Sequence, residues 1–165
     1  MNIVDVVNAC EKIDPDKIKV LCDLVNSKSN IVILGNGGSN AIASHISQDY
    51  TKKLKKRSFT FSDPSRLTCY INDYGMEKAN LQFLKEFSDQ DTLVILISSS
   101  GNSANILNCA DYCVDKKLDF VILTGFDQNN KLRKYASFAK EEFWIDSKDY
   151  GVVECVHQII LHTPA

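Results

Sequence analysis

Three short runs of apolar, mostly branched residues constrain this chain more than any other feature. They are Asn30-Ile-Val-Ile-Leu34, Asp91-Thr-Leu-Val-Ile-Leu-Ile97 and Asp119-Phe-Val-Ile-Leu-Thr124, and each stops abruptly at small polar residues. Continuous rather than alternating apolar character belongs to strands covered on both faces, and such strands build parallel sheets. The segments between them read as helices. Asp14-Pro15 is a helix start, an acceptor at the N-cap followed by proline at the first helical position, and Ile18, Leu21, Cys22 and Val25 carry the periodicity on. Further helices are predicted over Ala41–Tyr50, Ala104–Lys116 and Gly151–Leu161, with a weak strand over Ser58–Phe61 and a fifth strand within Phe138–Ile145. Strands alternating with helices give the doubly wound α/β plan, here a mostly parallel five-stranded sheet flanked by helices.

A length of 165 residues suits one domain, able to bury a core without disulfides. A net charge of −2 supplies no basic field for nucleic acid or a membrane surface. The basic cluster Lys52-Lys53-Leu54-Lys55-Lys56-Arg57 reads as a solvated helix end, from which a single lysine could reach a bound phosphate. Six cysteines form no C-x-x-C pair, and Cys109 and Cys113, four apart on a predicted helix, read as small buried hydrophobes. No apolar run is long enough to span a bilayer. The expectation is a reduced, cytoplasmic protein.

Two loops fall where strands hand over to helices: Gly35-Asn36-Gly37-Gly38-Ser39 and Ser98-Ser99-Ser100-Gly101-Asn102-Ser103. In a doubly wound sheet, ligands bind outside the carboxyl ends of strands. A helix N-terminus there offers free N–H groups and partial positive charge, glycines admit an anion closely, and serine hydroxyls add donors. The pair therefore reads as a phosphate anchor. Neither loop has the G-x-G-x-x-G spacing and no Walker lysine follows, so no nucleotide cofactor is expected.

The chain has three histidines, His45, His157 and His162. His45 and Asp49 are four apart and share a helix face. Glu154 and His162 are eight apart on the last helix, about 80° apart around its axis. Two facing helices, each with one carboxylate and one imidazole, suit a four-ligand metal site or an acid–base pair; by spacing alone they suit surface polar residues equally well.

Leu34-Gly-Asn-Gly-Gly-Ser39, the Asn72-Asp73-Tyr74-Gly75 turn, Ile97-Ser-Ser-Ser-Gly-Asn-Ser-Ala-Asn105 and Leu123-Thr-Gly125 resemble the sugar isomerase (SIS) domain, a Rossmann-like three-layer fold, and most of all its phosphoheptose isomerase branch. The resemblance implies a single SIS domain over residues 1–165, with residues 1–28 a helical segment packing on the domain or on neighbouring subunits. It implies that Ser98, Ser99, Ser100, Ser103, Ser39 and Asn36, with the backbone of Gly37 and Gly38, hold the phosphate, that Asp73 helps hold the sugar, and that Lys53 stands where a phosphate-directed arginine is usual. It further implies ketose–aldose isomerisation with Asp49 as base and His162 as acid, zinc on His45, Asp49, Glu154 and His162, a place in heptose biosynthesis, and a homotetramer or dimer with shared active sites. Some members of the wider family bind sugar phosphates or proteins without catalysis, which is the alternative. The chain departs from the pattern at Asp49 for glutamate, Glu154 for glutamine and Gln48 for a second glutamate.

Overall fold

The computed structural model describes residues 1–165. Each of the three apolar runs is a strand: β1 (Asn30–Leu34), β3 (Thr92–Ser98) and β4 (Asp119–Gly125). Two shorter strands, β2 (Arg57–Thr60) and β5 (Glu141–Ile145), complete a sheet of order β2-β1-β3-β4-β5 in which every pairing is parallel. Seven helices surround it: α1 (Ile3–Glu11), α2 (Pro15–Ser27), α3 (Gly38–Leu54), α4 (Pro64–Tyr74), α5 (Met76–Phe87), α6 (Ala104–Lys116) and α7 (Tyr150–His162).

Why the central strands are apolar throughout is visible in their side chains. Ile31, Ile33, Leu93, Ile95, Ile97, Val121 and Leu123 face a core shared with α2, α3 and α7. Their alternates, Val32, Leu34, Val94, Leu96, Phe120 and Ile122, face a second core built with α5 and α6. Cys109 and Cys113 are buried in that second core. A strand with two dry faces has no place for a polar alternate, so the period-two signal vanishes.

Differences from the sequence expectation lie at element ends and among short amphipathic helices. The helix after the first loop begins three residues early, at Gly38, and runs to Leu54, where Lys55 adopts a left-handed cap. The fifth strand lies within the span expected for it, occupying only Glu141–Ile145 and leaving Phe138 exposed before it. Residues 64–87, read only as carrying a turn, form α4 and α5. Asp63 caps α4 ahead of Pro64, and Asn72–Tyr74 are its last turn; Gly75, at φ +79°, is the joint. No side chain of α4 is fully buried, so its apolar stripe is thin.

The free edge of β5 is covered by ionic contacts. Lys17 donates to the Glu142 carbonyl at 2.8 Å and pairs with Glu141, and Arg133 pairs with Glu142. A cleft of about 570 Å³ between α1, the start of α2 and β5 lies along this seam and includes none of the residues singled out above as site candidates.

Candidate active site

The order β2-β1-β3 places the crossover after β1 and the crossover after β3 on opposite faces, since α3 packs in the first core and α6 in the second. The strand order thus reverses between β1 and β3, and the crevice at such a point is the usual ligand site of an open α/β sheet. Both glycine/serine loops leave those two adjacent strands.

Most helices here close their first turn with a side chain: Asn2, Asp14, Asp63 and Asp149 cap α1, α2, α4 and α7. The helices that follow the two loops do not. The N-caps of α3 and α6, Gly37 and Ser103, make no side-chain capping bond, and α5, which starts at the Gly75 joint, is the other uncapped helix. First-turn N–H groups of α3 and α6 are therefore left for another acceptor.

The second loop is braced from behind. Gly125 N–H donates to the Ser99 carbonyl at 2.9 Å, Leu132 N–H to the Gly101 carbonyl at 2.9 Å, and Lys131 N–H to Asn102 Oδ1 at 3.2 Å. Gly101 is required twice over, by φ +64° and because a Cβ would run into the Asn130 side chain. Ser98 Oγ donates to Ser103 Oγ at 3.3 Å, Asn102 N–H donates to Ser100 Oγ at 3.3 Å, and the buried Ser99 hydroxyl has no partner. In the first loop, Gly37 sits at φ +54°. A Cβ on Gly38 would collide with the Glu154 carboxylate, which lies over the start of α3. Ser39 is buried in the first turn of α3.

A second constellation forms farther along α3. His45 Nε2 and His162 Nδ1 lie 3.8 and 3.5 Å from Asp49 Oδ2, and the two imidazoles meet edge to face with centroids 5.1 Å apart. Lys53, half exposed, donates to the same oxygen at 3.1 Å. Asp49 is itself only 13% exposed. The Lys53 hydrogen bond, aided by the charges of Lys53 and the two histidines and opposed by burial, holds the Asp49 carboxyl below the usual carboxylate range. The side chain is thus ionised at neutral pH, as a proton acceptor or metal ligand must be.

What brings Asp49 to His162 is a bond between their chain neighbours. Tyr50 Oη donates to the Leu161 carbonyl at 2.8 Å inside the core. Because Glu154 lies over Gly38 while Leu161 meets Tyr50, α7 runs beside α3 in the same direction.

The ligating atoms of His45, Asp49 and His162 lie within 4.8 Å of one another, and two imidazoles with one carboxylate are the donor set of an open, catalytic zinc site. These three residues fit a divalent cation. Glu154 stands apart from the group. An angular separation of about 80° puts Glu154 and His162 near one face, but eight residues also span about 12 Å of helix axis. The side chain of Glu154 is turned toward Gly38 instead.

Asp73 is exposed and engaged locally, accepting from Asn72 Nδ2 at 2.9 Å and from Cys69 at 3.5 Å; none of its hydrogen bonds reaches either loop. Asn36 exchanges hydrogen bonds with Asn105. Sequence reasoning assigned no part to Asn105, Asn130 or Tyr50. For Asn105 a signal existed, an amide placed next to buried Ile106 in the first turn of a helix. For Asn130 and Tyr50 the partners are distant in sequence, and no local pattern points to them.

The SIS domain family matches residues 6–125, a span holding both loops and ending before α7. The chain is 31% identical over 158 residues to the phosphoheptose isomerase of Fusobacterium nucleatum, covering 92% of this chain and 79% of that protein. It is 29% identical to the phosphoheptose isomerase of Cytophaga hutchinsonii, covering 87% and 76%. The fold matches the solved structure of a phosphoheptose isomerase from Francisella tularensis with a TM-score of 0.85 at 20% identity, over 98% of this chain and 89% of that one. It also matches the Vibrio vulnificus NanR protein complexed with ManNAc-6P, with a TM-score of 0.72 at 15% identity, over 98% of this chain and 57% of that one.

Proposed function

Because the chain belongs to the SIS domain family, and within it to the phosphoheptose isomerases, we propose that it interconverts a ketose phosphate and its aldose phosphate, with a seven-carbon sugar as substrate. The observation that carries catalysis over binding alone is the ionised, largely buried Asp49 carboxylate set between two imidazoles. A sugar phosphate receptor has no use for that arrangement.

In this reading the uncapped starts of α3 and α6 and the serine hydroxyls of the second loop take the phosphate. Glu154, beside the first loop, meets sugar hydroxyls. Starting from the ketose, Asp49 takes a proton from C1 while His162 gives one to the C2 carbonyl oxygen, and an enediol results. Asp49 then returns its proton to C2, and His162 recovers one from the C1 hydroxyl as the aldehyde forms. Atoms and charge balance without a co-substrate. His45, Asp49 and His162 would hold zinc, whose Lewis acidity polarises a carbonyl. Lys53 holds Asp49 in its ionised form. Residues 1–165 act as one domain in the cytoplasm. Ile3, Val4 and Val7 on α1, 76, 54 and 51% exposed, support assembly with further copies of the chain. The pathway consistent with such a substrate is heptose biosynthesis.

The test is turnover of sedoheptulose 7-phosphate by the purified protein, with and without zinc. Asp49→Asn lowers kcat by about 10²–10⁴-fold, the usual contribution of a positioned base, while inorganic phosphate still binds. Phosphate binding without turnover of any ketose phosphate refutes the isomerase reading and leaves a sugar phosphate-binding module.

A further inference from the structure

The two loops are joined by side chains as well as by their strands. Asn36 Nδ2 donates to Asn105 Oδ1 at 2.9 Å, and Asn105 Nδ2 donates back to Asn36 Oδ1 at 2.8 Å. The same Asn105 nitrogen donates to Asn80 Oδ1 at 2.8 Å. Two amides facing each other in this way close a ring that neither alanine nor a carboxylate can reproduce, since each partner must donate and accept at once. Asn105 and Asn80 are 6 and 5% exposed, so the bond between them lies away from water, where such bonds are strongest and their loss is costly, while Asn36 closes the ring from the exposed side.

Three separate elements meet here: the loop after β1, the first turn of α6, and α5. Beyond the end of the β1–β3 ladder, where Leu34 pairs with Leu96, these are the hydrogen bonds that join the first loop to the start of α6.

An inventory of donors separates the roles. Asn105 Nδ2 serves two acceptors, so both of its hydrogens are used and its oxygen accepts from Asn36. No side-chain donor of Asn105 remains for a phosphate. Asn36 spends one amide hydrogen in the ring and keeps the other. We propose that Asn105 and Asn80 are positioning residues that, through this amide clamp, fix the separation of the two loops and aim the free N–H of Asn36 at the bound phosphate. The anchor is thus assembled before the ligand arrives, and ordering it costs no binding energy.

This inference rests on the two loops being a phosphate anchor, and the experiment separates the two claims. Inorganic phosphate is titrated calorimetrically into the wild-type chain, Asn36→Leu, Asn105→Leu, the double variant and Asn80→Leu, after thermal unfolding has identified which variants are folded. Asn105→Leu weakens phosphate by about tenfold, the scale of one lost buried hydrogen bond. The double variant is no weaker than the weaker single variant by more than about twofold, because the two residues act as one unit. Asn80→Leu, remote from the ligand, weakens phosphate by a smaller factor. With sedoheptulose 7-phosphate it raises KM more than it lowers kcat, a split that general loss of structure does not produce. Losses that multiply in the double variant, or wild-type phosphate affinity in both Asn105→Leu and Asn80→Leu, overturn the clamp and leave the anchor standing. A wild-type chain that takes no phosphate overturns both.

Discussion

Asp49 Oδ2 is approached by two imidazoles and one ammonium. The ammonium sets its acidity. Lys53 donates the hydrogen bond that contributes most to lowering the Asp49 pKa. Removing that donor in Lys53→Met raises the pKa, so a larger fraction of Asp49 is protonated at any acidic pH. The acid limb of kcat/KM, which reports the free enzyme, accordingly moves to higher pH in Lys53→Met, as a pH–rate profile will show. An unmoved limb excludes Asp49 as the group that limits activity in acid. Asp49 was legible in the sequence as the i+4 partner of His45. The resemblance put Lys53, on the same face one turn further, where a phosphate-directed arginine is usual, and spacing does not reveal which of two anions a lysine chooses. The structure gives Lys53 to Asp49. Glu154 teaches the same lesson in reverse: an angle around the helix gave its face, and the rise along the axis then separated it from His162.

At the scale of elements, α7 is held in register by two buried bonds that no local pattern announces. Tyr50 Oη reaches the Leu161 carbonyl, and His157 Nε2 reaches the Thr124 carbonyl at 3.0 Å. Tyr50→Phe leaves that carbonyl short of a donor in the core. The substitution costs about 1–3 kcal/mol of stability in urea denaturation and lowers kcat more than it raises KM, since it loosens Asp49 against His162. His157 is fully buried, and desolvation pushes its pKa down to about 4, well below the 6.5 of an unhindered imidazole. The sign follows from proton uptake. Between those two values the unfolded chain binds the proton and the folded chain does not, so stability falls as pH drops from 6.5 toward 4. The loss from this group between pH 7 and pH 4.5 is roughly 2–3 kcal/mol. His157→Gln keeps a donor for Thr124 and removes the titration, so its urea-denaturation stability changes by that much less over the same interval. An identical pH dependence in variant and wild type would show that His157 does not stay neutral in the fold.

For the whole molecule, the decisive fact is the strand order. Parallel pairing of β1 with β3, at the point where the order reverses, sets the two uncapped helix starts side by side. A ligand that bridges both loops therefore binds the folded chain alone. Inorganic phosphate at a hundredfold excess over its Kd stabilises the protein by about 2.7 kcal/mol, read as a concentration-dependent rise in Tm. Sulfate-free buffer and a chloride control isolate the effect. If Tm does not rise, the loops are tight turns and nothing more.

The strands and the two loops were legible from the chain alone because their causes are local. An apolar run must be buried on both faces, and glycine and serine after it admit an anion. The amphipathic pair α4 and α5 was not legible, since its stripe is thin and α4 buries no residue completely. The proposed phosphate anchor was read from Gly37, Gly38, Ser98 and Ser103 because each lies within a few residues of a strand end. The remaining decisions belonged to tertiary structure. Asn105 ties to Asn36 across 69 residues, Tyr50 to Leu161 across 111, and Asp49 meets His162 only because α3 and α7 pack side by side. The sequence determined which chemical groups this protein owns and which backbone turns present them; packing decided which groups meet, because a hydrogen bond depends on a distance that chain order does not contain.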